Sequence, residues 1–128
     1  MVLDSSAIVA IHLREPGHER LMDRIDAAEV VVVGVPTLLE SVMVLTSRLG
    51  HDARPMLLAF LRRVEAEVIP FNQEHMDAAA TAFIRFGKGR HPAALNFGDC
   101  MSYAVASVAG MPLLFMGEDF RQTDIAQA

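Results

Sequence analysis

Five carboxylates stand in this chain where a hydrophobic core has no use for them. Asp4 closes the short apolar run Val2-Leu3. Glu40 lies inside the apolar segment "LLESVMVL". Asp99 opens the apolar run of "NFGDCMSYAVA", and Glu118 and Asp119 follow "PLLFMG". Acids that converge repel one another: two unit charges about 4 Å apart cost on the order of 4 kcal/mol at an effective dielectric of 20. A chain keeps such a set only where a cation, a proton or a basic partner offsets it. No His/Cys ligand pattern accompanies the acids, which disfavours zinc. Hard oxygen ligands suit Mg²⁺ or Mn²⁺. Such an ion can orient a water as nucleophile and steady the charge on a phosphodiester.

Each acid also has a plainer reading. Asp4 can cap the helix that follows it. Asp99 can be an N-cap or a first-turn acid favoured by the helix dipole. Glu118-Asp119 can be an ordinary turn. Glu40, set between Leu38-Leu39 and Val42-Met43, is the hardest to dismiss as solvated surface. Their joint placement carries the functional reading.

The elements that must position them alternate between strand and helix. Val2-Leu3 reads as a buried strand, with Ser5 or Ser6 starting a helix "SAIVAIHL". Glu15-Pro16-Gly17 breaks the chain, and a helix fits 18–28. The β-branched run Val30–Val35 suits a strand buried on both faces. Pro36 and Thr37 open a helix that stops at Gly50. An amphipathic helix spans 52–65. The strand "EVIPF" is kept from the sheet centre by Pro70. A helix covers 73–86, a Gly- and Pro-rich basic loop follows, and a helix covers 99–109. "PLLFM" is the last strand, with a helical turn within 119–125. The pattern predicts an α/β fold on a mostly parallel sheet, where ligands gather at the carboxyl ends of the strands. Asp4, Glu40, Asp99 and Glu118-Asp119 can all reach that rim.

The chain's 128 residues, 52% apolar, suit one domain over residues 1–128 with a real core. A net charge of −5 argues against broad, non-specific nucleic-acid binding. The single cysteine, Cys100, excludes an internal disulfide framework and fits a reducing cytosol. It lacks an activating partner and reads as a buried spectator. The N-terminus lacks a signal-peptide pattern. The uncharged stretch Cys100–Gly117 is broken by Gly110 and Pro112 and is a poor membrane span. A soluble, intracellular, cytoplasmic protein is expected.

The segments "MVLDSSAIVAI", "LLESVMVL", "NFGDCMSYAVA" and "PLLFMGEDFRQTDI" resemble, in order, the motifs of the PIN-domain ribonucleases. The match is nearest to the VapC toxins of VapBC toxin–antitoxin modules. The resemblance covers essentially the whole chain and implies a Rossmann-like, metal-dependent endoribonuclease with an acidic pocket. The family's first three acids fall on Asp4, Glu40 and Asp99. Asp119 takes the fourth place on the strength of its "DF" pair, with Glu118 as the alternative. Asp4, Asp99 and Asp119 would hold Mg²⁺ or Mn²⁺, while Glu40 would hold the ion or position the attacking water. The family's small hydroxyl residue falls on Ser6, which can help hold water or phosphate or merely cap a helix. Thr123 and Asp124 match the tail motif and would support the site.

RNA brings phosphates, so an acidic protein needs local positive charge. "RFGKGRH" offers Arg85, Lys88, Arg90 and His91, either as backbone contacts or as a solvated basic loop. Arg14 and Arg121 have weaker claims. With one Tyr and no Trp, base stacking is poorly served. His12, His18, His51 and His75 read as surface or helix residues. The resemblance further implies a cognate VapB-type antitoxin and a homodimer. Helices at 5–13, 18–28 and 37–49 offer the antitoxin a groove. Two rivals remain: an α/β phosphatase or phosphoryl-transfer domain, and a catalytically inactive PIN interaction module. "LDSS" lacks the second acid of an Asp-x-Asp phosphatase start, and the one lysine, Lys88, sits in a loop before Asp99.

Overall fold

In the computed structural model, which describes residues 1–128, four short strands build one sheet. They are β1 (Val2–Leu3), β2 (Val32–Gly34), β3 (Glu67–Ile69) and β4 (Leu113–Leu114). All pairings are parallel, in the order β3-β2-β1-β4, with Val2 opposite both Val32 and Leu113. Parallel neighbours need long crossovers, and helices supply them. α1 (Ser5–His12) and α2 (His18–Asp26) join β1 to β2. α3 (Val35–Leu49) and α4 (Arg54–Arg63) join β2 to β3. α5 (Gln73–Phe86) and α6 (Phe97–Ala109) join β3 to β4.

Side-chain alternation along the strands divides the core in two. Val2, Val32 and Leu113 point into a cluster with Ala82, Phe86, Tyr103 and Val105 of α5 and α6. Leu3, Val33 and Leu114 point into the opposite cluster, with Ile8, Leu21, Leu45 and Leu57 from the first four helices. Helices on both faces explain why the central strands read as continuous apolar runs. β3 lies at one edge of the sheet, as Pro70 implied, and β4 at the other.

Two boundaries differ from the sequence reading in ways that matter for the site. β2 ends at Gly34 because Pro36 falls in the first turn of α3, whose helix starts at Val35. α6 starts at Phe97, not at residue 99, because Asn96 caps it. Gly34 has no room for a side chain: a Cβ there would lie 2.7 Å from Val105 Cγ2. That close approach brings the end of β2 against α6. No helix is long and apolar enough to cross a membrane.

The sheet order reverses direction beside β1, with β2 and β3 on one side and β4 on the other. The carboxyl ends of β1 and β4 therefore flank a topological switch point, the usual place for a ligand in an open α/β sheet.

Candidate active site

Asp4 follows β1 directly and its backbone N–H still donates to Leu114 O at 2.9 Å. It is the N-cap of α1, in extended conformation. Its Oδ2 accepts from the Ser6 N–H at 2.9 Å and the Ser6 hydroxyl at 2.5 Å. The Ser6 Oγ in turn accepts from the Met116 N–H at 3.0 Å. One hydroxyl thus locks the carboxylate of the first strand onto the chain leaving the last. The capping reading of Asp4 holds, but it uses only one oxygen. Asp4 is 2% exposed, and its buried Oδ1 has no hydrogen-bond partner. Buried polar atoms are seldom left so.

Removing the Ser6 hydroxyl tests this lock. Ser6→Ala should destabilise the fold by about 1–2 kcal/mol, since Met116 N–H and Asp4 Oδ2 each lose a partner. Denaturant titration reads this directly.

Glu40 lies in the second turn of α3, half-buried. Burial holds its carboxyl above the usual range. The charge of Asp4 adds to this, and the Ser5 hydroxyl pulls the other way. One turn earlier, Thr37 Oγ1 and Ser102 Oγ share a buried 2.9 Å hydrogen bond that registers α3 against α6. The Ser41 hydroxyl donates to Thr37 O at 2.8 Å and braces the same turn.

Asp99 occupies the third position of α6 and forms a capping box with Asn96. Asn96 Oδ1 accepts from the Asp99 N–H at 2.9 Å, and Asp99 Oδ2 accepts from the Asn96 N–H at 2.8 Å. Its carboxyl is pushed up to about 6, first by burial, then by the charges of Asp4, Asp119 and Glu40; the Asn96 hydrogen bond opposes this. One carboxyl thus feels three others that come from separate segments of the chain. Glu118 is not among them. It is exposed and pairs with Arg121 at 3.5 Å. Asp119, at the N-cap of the short 3-10 turn Phe120–Gln122, is the member of that pair whose charge reaches Asp99.

As the side chains stand, no three His, Cys, Asp or Glu groups close on a common ligand sphere. A magnesium-type site does not need them to. Mg²⁺ is usually bound through one or two carboxylates, several waters and substrate phosphates. The unpartnered Asp4 Oδ1 and the crowded carboxyl of Asp99 fit a hard divalent cation in donor type and in charge.

The remaining predicted residues fall outside this group. Asp124 binds Arg85 at 2.8 Å and accepts from the Tyr103 hydroxyl at 2.7 Å. Those contacts hold the Asp124 carboxyl below its usual range, while burial and Asp124 push Tyr103 up to about 12. Asp124 therefore ties the tail to α5 and α6, downstream of the turn that carries Asp119. Thr123 Oγ1 donates to Phe120 O at 2.7 Å and closes that turn. Arg85 is occupied by Asp124 and by the face of Phe86. Arg90 lies over the Phe83 ring at 5.3 Å, and Lys88 is exposed in the loop. His91 Nδ1 accepts from the Ala93 N–H and shapes that loop. Among the scattered histidines, His75 is buried and completes a capping box with Asn72.

Sequence reading did not single out Ser5, Asn96, Phe97 or Gly98 as parts of the site. The Asn-x-x-Asp spacing was a signal for the cap. Phe97 is 80% exposed at the start of α6, an aromatic in solvent two residues from Asp99.

The PIN domain family model matches residues 1–126. The chain is 44% identical over 126 residues to Ribonuclease VapC of Mycolicibacterium smegmatis, covering 98% of each. Among solved structures it superposes on Mycobacterium tuberculosis VapC20, a toxin described as cleaving the sarcin–ricin loop. The TM-score is 0.76 at 19% identity, over 99% of this chain and 97% of that one. A toxin–antitoxin complex from Klebsiella pneumoniae gives a TM-score of 0.70 at 14% identity, over 96% and 92% of the two chains.

Proposed function

We infer this protein's activity from one premise: the chain belongs to the PIN-domain family, among the VapC ribonucleases. It is an endoribonuclease toxin that hydrolyses RNA phosphodiester bonds with Mg²⁺ or Mn²⁺ and works in the cytoplasm. The observation that carries this reading is Asp4 Oδ1, buried and without a partner amid acids from three other segments. Asp4 and Asp99 would hold a divalent ion there, which would supply charge neutralisation for the acids and Lewis acidity toward a phosphate and a water.

The chain's own residues set the geometry. Asp4, fixed by Ser6, and Asp99, fixed by Asn96, present rigid carboxylates for the ion. Asp119 completes the acidic side from the turn after β4. Glu40 faces them from α3 and holds the ion or orients the attacking water, accepting its proton as attack proceeds. Lys88 and Arg90 give the RNA backbone positive charge that is not spent on an acid.

A cognate VapB-type antitoxin lays an apolar helix in the 230 Å³ cleft between α3 and α4, lined by Leu38, Leu39, Val42, Leu57 and Leu58. A second copy of the chain covers the face of α3, α5 and α6, where Met43 is 61%, Phe83 42% and Phe97 80% exposed. Exposed apolar patches of that extent mark protein contacts.

The decisive assay incubates purified protein with structured RNA and with a phosphatase substrate, each with EDTA, Mg²⁺ or Mn²⁺. RNA cleavage that requires the cation is expected. Phosphatase turnover without RNA cleavage would move the site to the phosphoryl-transfer class. No turnover and no response to cation would leave an inactive interaction module.

A further inference from the structure

Gly98 has no dihedral reason to be glycine, since it lies inside α6 and outside the positive-φ set. Its reason is space. A Cβ built on Gly98 would overlap a Glu40 carboxylate oxygen and lie 2.7 Å from the Glu40 carboxyl carbon. The carboxylate of α3 therefore rests against the bare backbone of the first turn of α6. That turn carries unsatisfied N–H groups and the positive end of the helix dipole, both of which favour an anion. Asn96 takes the Asp99 N–H and leaves the turn's earlier N–H groups free of side-chain caps.

We propose that Gly98 is a positioning residue whose missing side chain forms the slot that fixes the Glu40 carboxylate opposite Asp99. The proposal rests on the acidic-site reading above and adds the element that sets its second acid. The three atoms nearest a methyl group at residue 98 all belong to the far end of one flexible side chain, Glu40. The fold therefore tolerates it, while Glu40 must swing away. Alanine also favours the helix over glycine, so stability and function part company in this variant.

The test compares wild type, Gly98→Ala, Glu40→Asp and the double variant. It measures RNA-cleavage kcat and KM with Mn²⁺, Mn²⁺ affinity by calorimetry without RNA, and Tm. Gly98→Ala should keep or raise Tm, leave KM near wild type and lower kcat by about 10–100-fold, the scale of a displacement near 1 Å. Its Mn²⁺ affinity should fall several-fold. Aspartate at position 40 is one methylene shorter and withdraws the carboxylate from the added methyl. The double variant should therefore be more active than Gly98→Ala alone and than the product of the two single effects. Wild-type kcat and Mn²⁺ affinity in Gly98→Ala, or strictly multiplicative single effects, would overturn the slot. A wild type that binds Mn²⁺ but cleaves no RNA would instead remove the nuclease reading, and the coupling in Mn²⁺ affinity would still decide the slot.

Discussion

Asp99→Asn is expected to abolish RNA cleavage, by roughly 10³-fold or more, while making the metal-free protein more stable. Asparagine keeps an oxygen for the Asn96 N–H and so keeps the capping box. It removes a charge that burial and three neighbouring acids oppose. The sign follows from linkage. With its pKa raised from 3.8 to about 6, Asp99 holds its proton in the folded state at pH values where the unfolded chain has lost it. Its contribution is fully present below pH 3.8, falls as pH rises through about 6, and above that is a standing penalty. The group is partly open to solvent, so screening reduces the penalty to about 1–2 kcal/mol. Relieving it should raise Tm by several degrees in EDTA at pH 7.5 and flatten the pH dependence of stability between pH 4 and 6. Paired melts of the two proteins across that range check both. Added Mn²⁺ should reverse the order, because saturation at about 100 times Kd stabilises the wild type by about 2.7 kcal/mol and the variant by much less.

Asp4 separates chemistry from architecture in another way. Asp4→Asn and Asp4→Ala should both lose cleavage, again by roughly 10³-fold or more. They should differ in stability. Asparagine retains an oxygen for the Ser6 N–H and hydroxyl and turns an amide donor toward the neighbouring acids. Its fold should be as stable as wild type. Alanine loses the N-cap and strands the Ser6 hydroxyl, which costs about 1–2 kcal/mol. Urea titrations of the pair, with cleavage measured on the same preparations, separate the two roles of one side chain. Equal stability in both variants would mean that the cap contributes nothing.

The placement of several of these acids was legible in the sequence because it depends on local context. An acid two residues before a serine, at the end of a short apolar run, can be both a cap and a strand-end carboxylate, and Asp4 is both, with one oxygen free of the cap. Glu40 stood out because an acid inside an apolar helix needs a reason. The alternation of strands and helices led to a parallel sheet, and Pro70 marked one of its two edge strands. What was hidden depends on contacts between distant segments. Nothing local distinguishes Gly98 from any helical glycine, since its neighbour Glu40 arrives from another helix. Arg85 looked like a free cation in a basic loop, whereas Asp124 of the tail occupies it. Val35 reads as strand by composition, but the proline after it starts a helix there. Asp119 and Glu118 are adjacent and chemically alike, and only the turn after β4 decides which charge reaches Asp99.

The most direct test of the pocket is anomalous diffraction from a crystal soaked in Mn²⁺. A peak bonded to Asp4 Oδ1 and to an Asp99 carboxylate oxygen, with Glu40 and Asp119 facing it, is the expected result. Manganese bound at other surface sites while Asp4 Oδ1 stays without a ligand would contradict the shared pocket on which everything else depends.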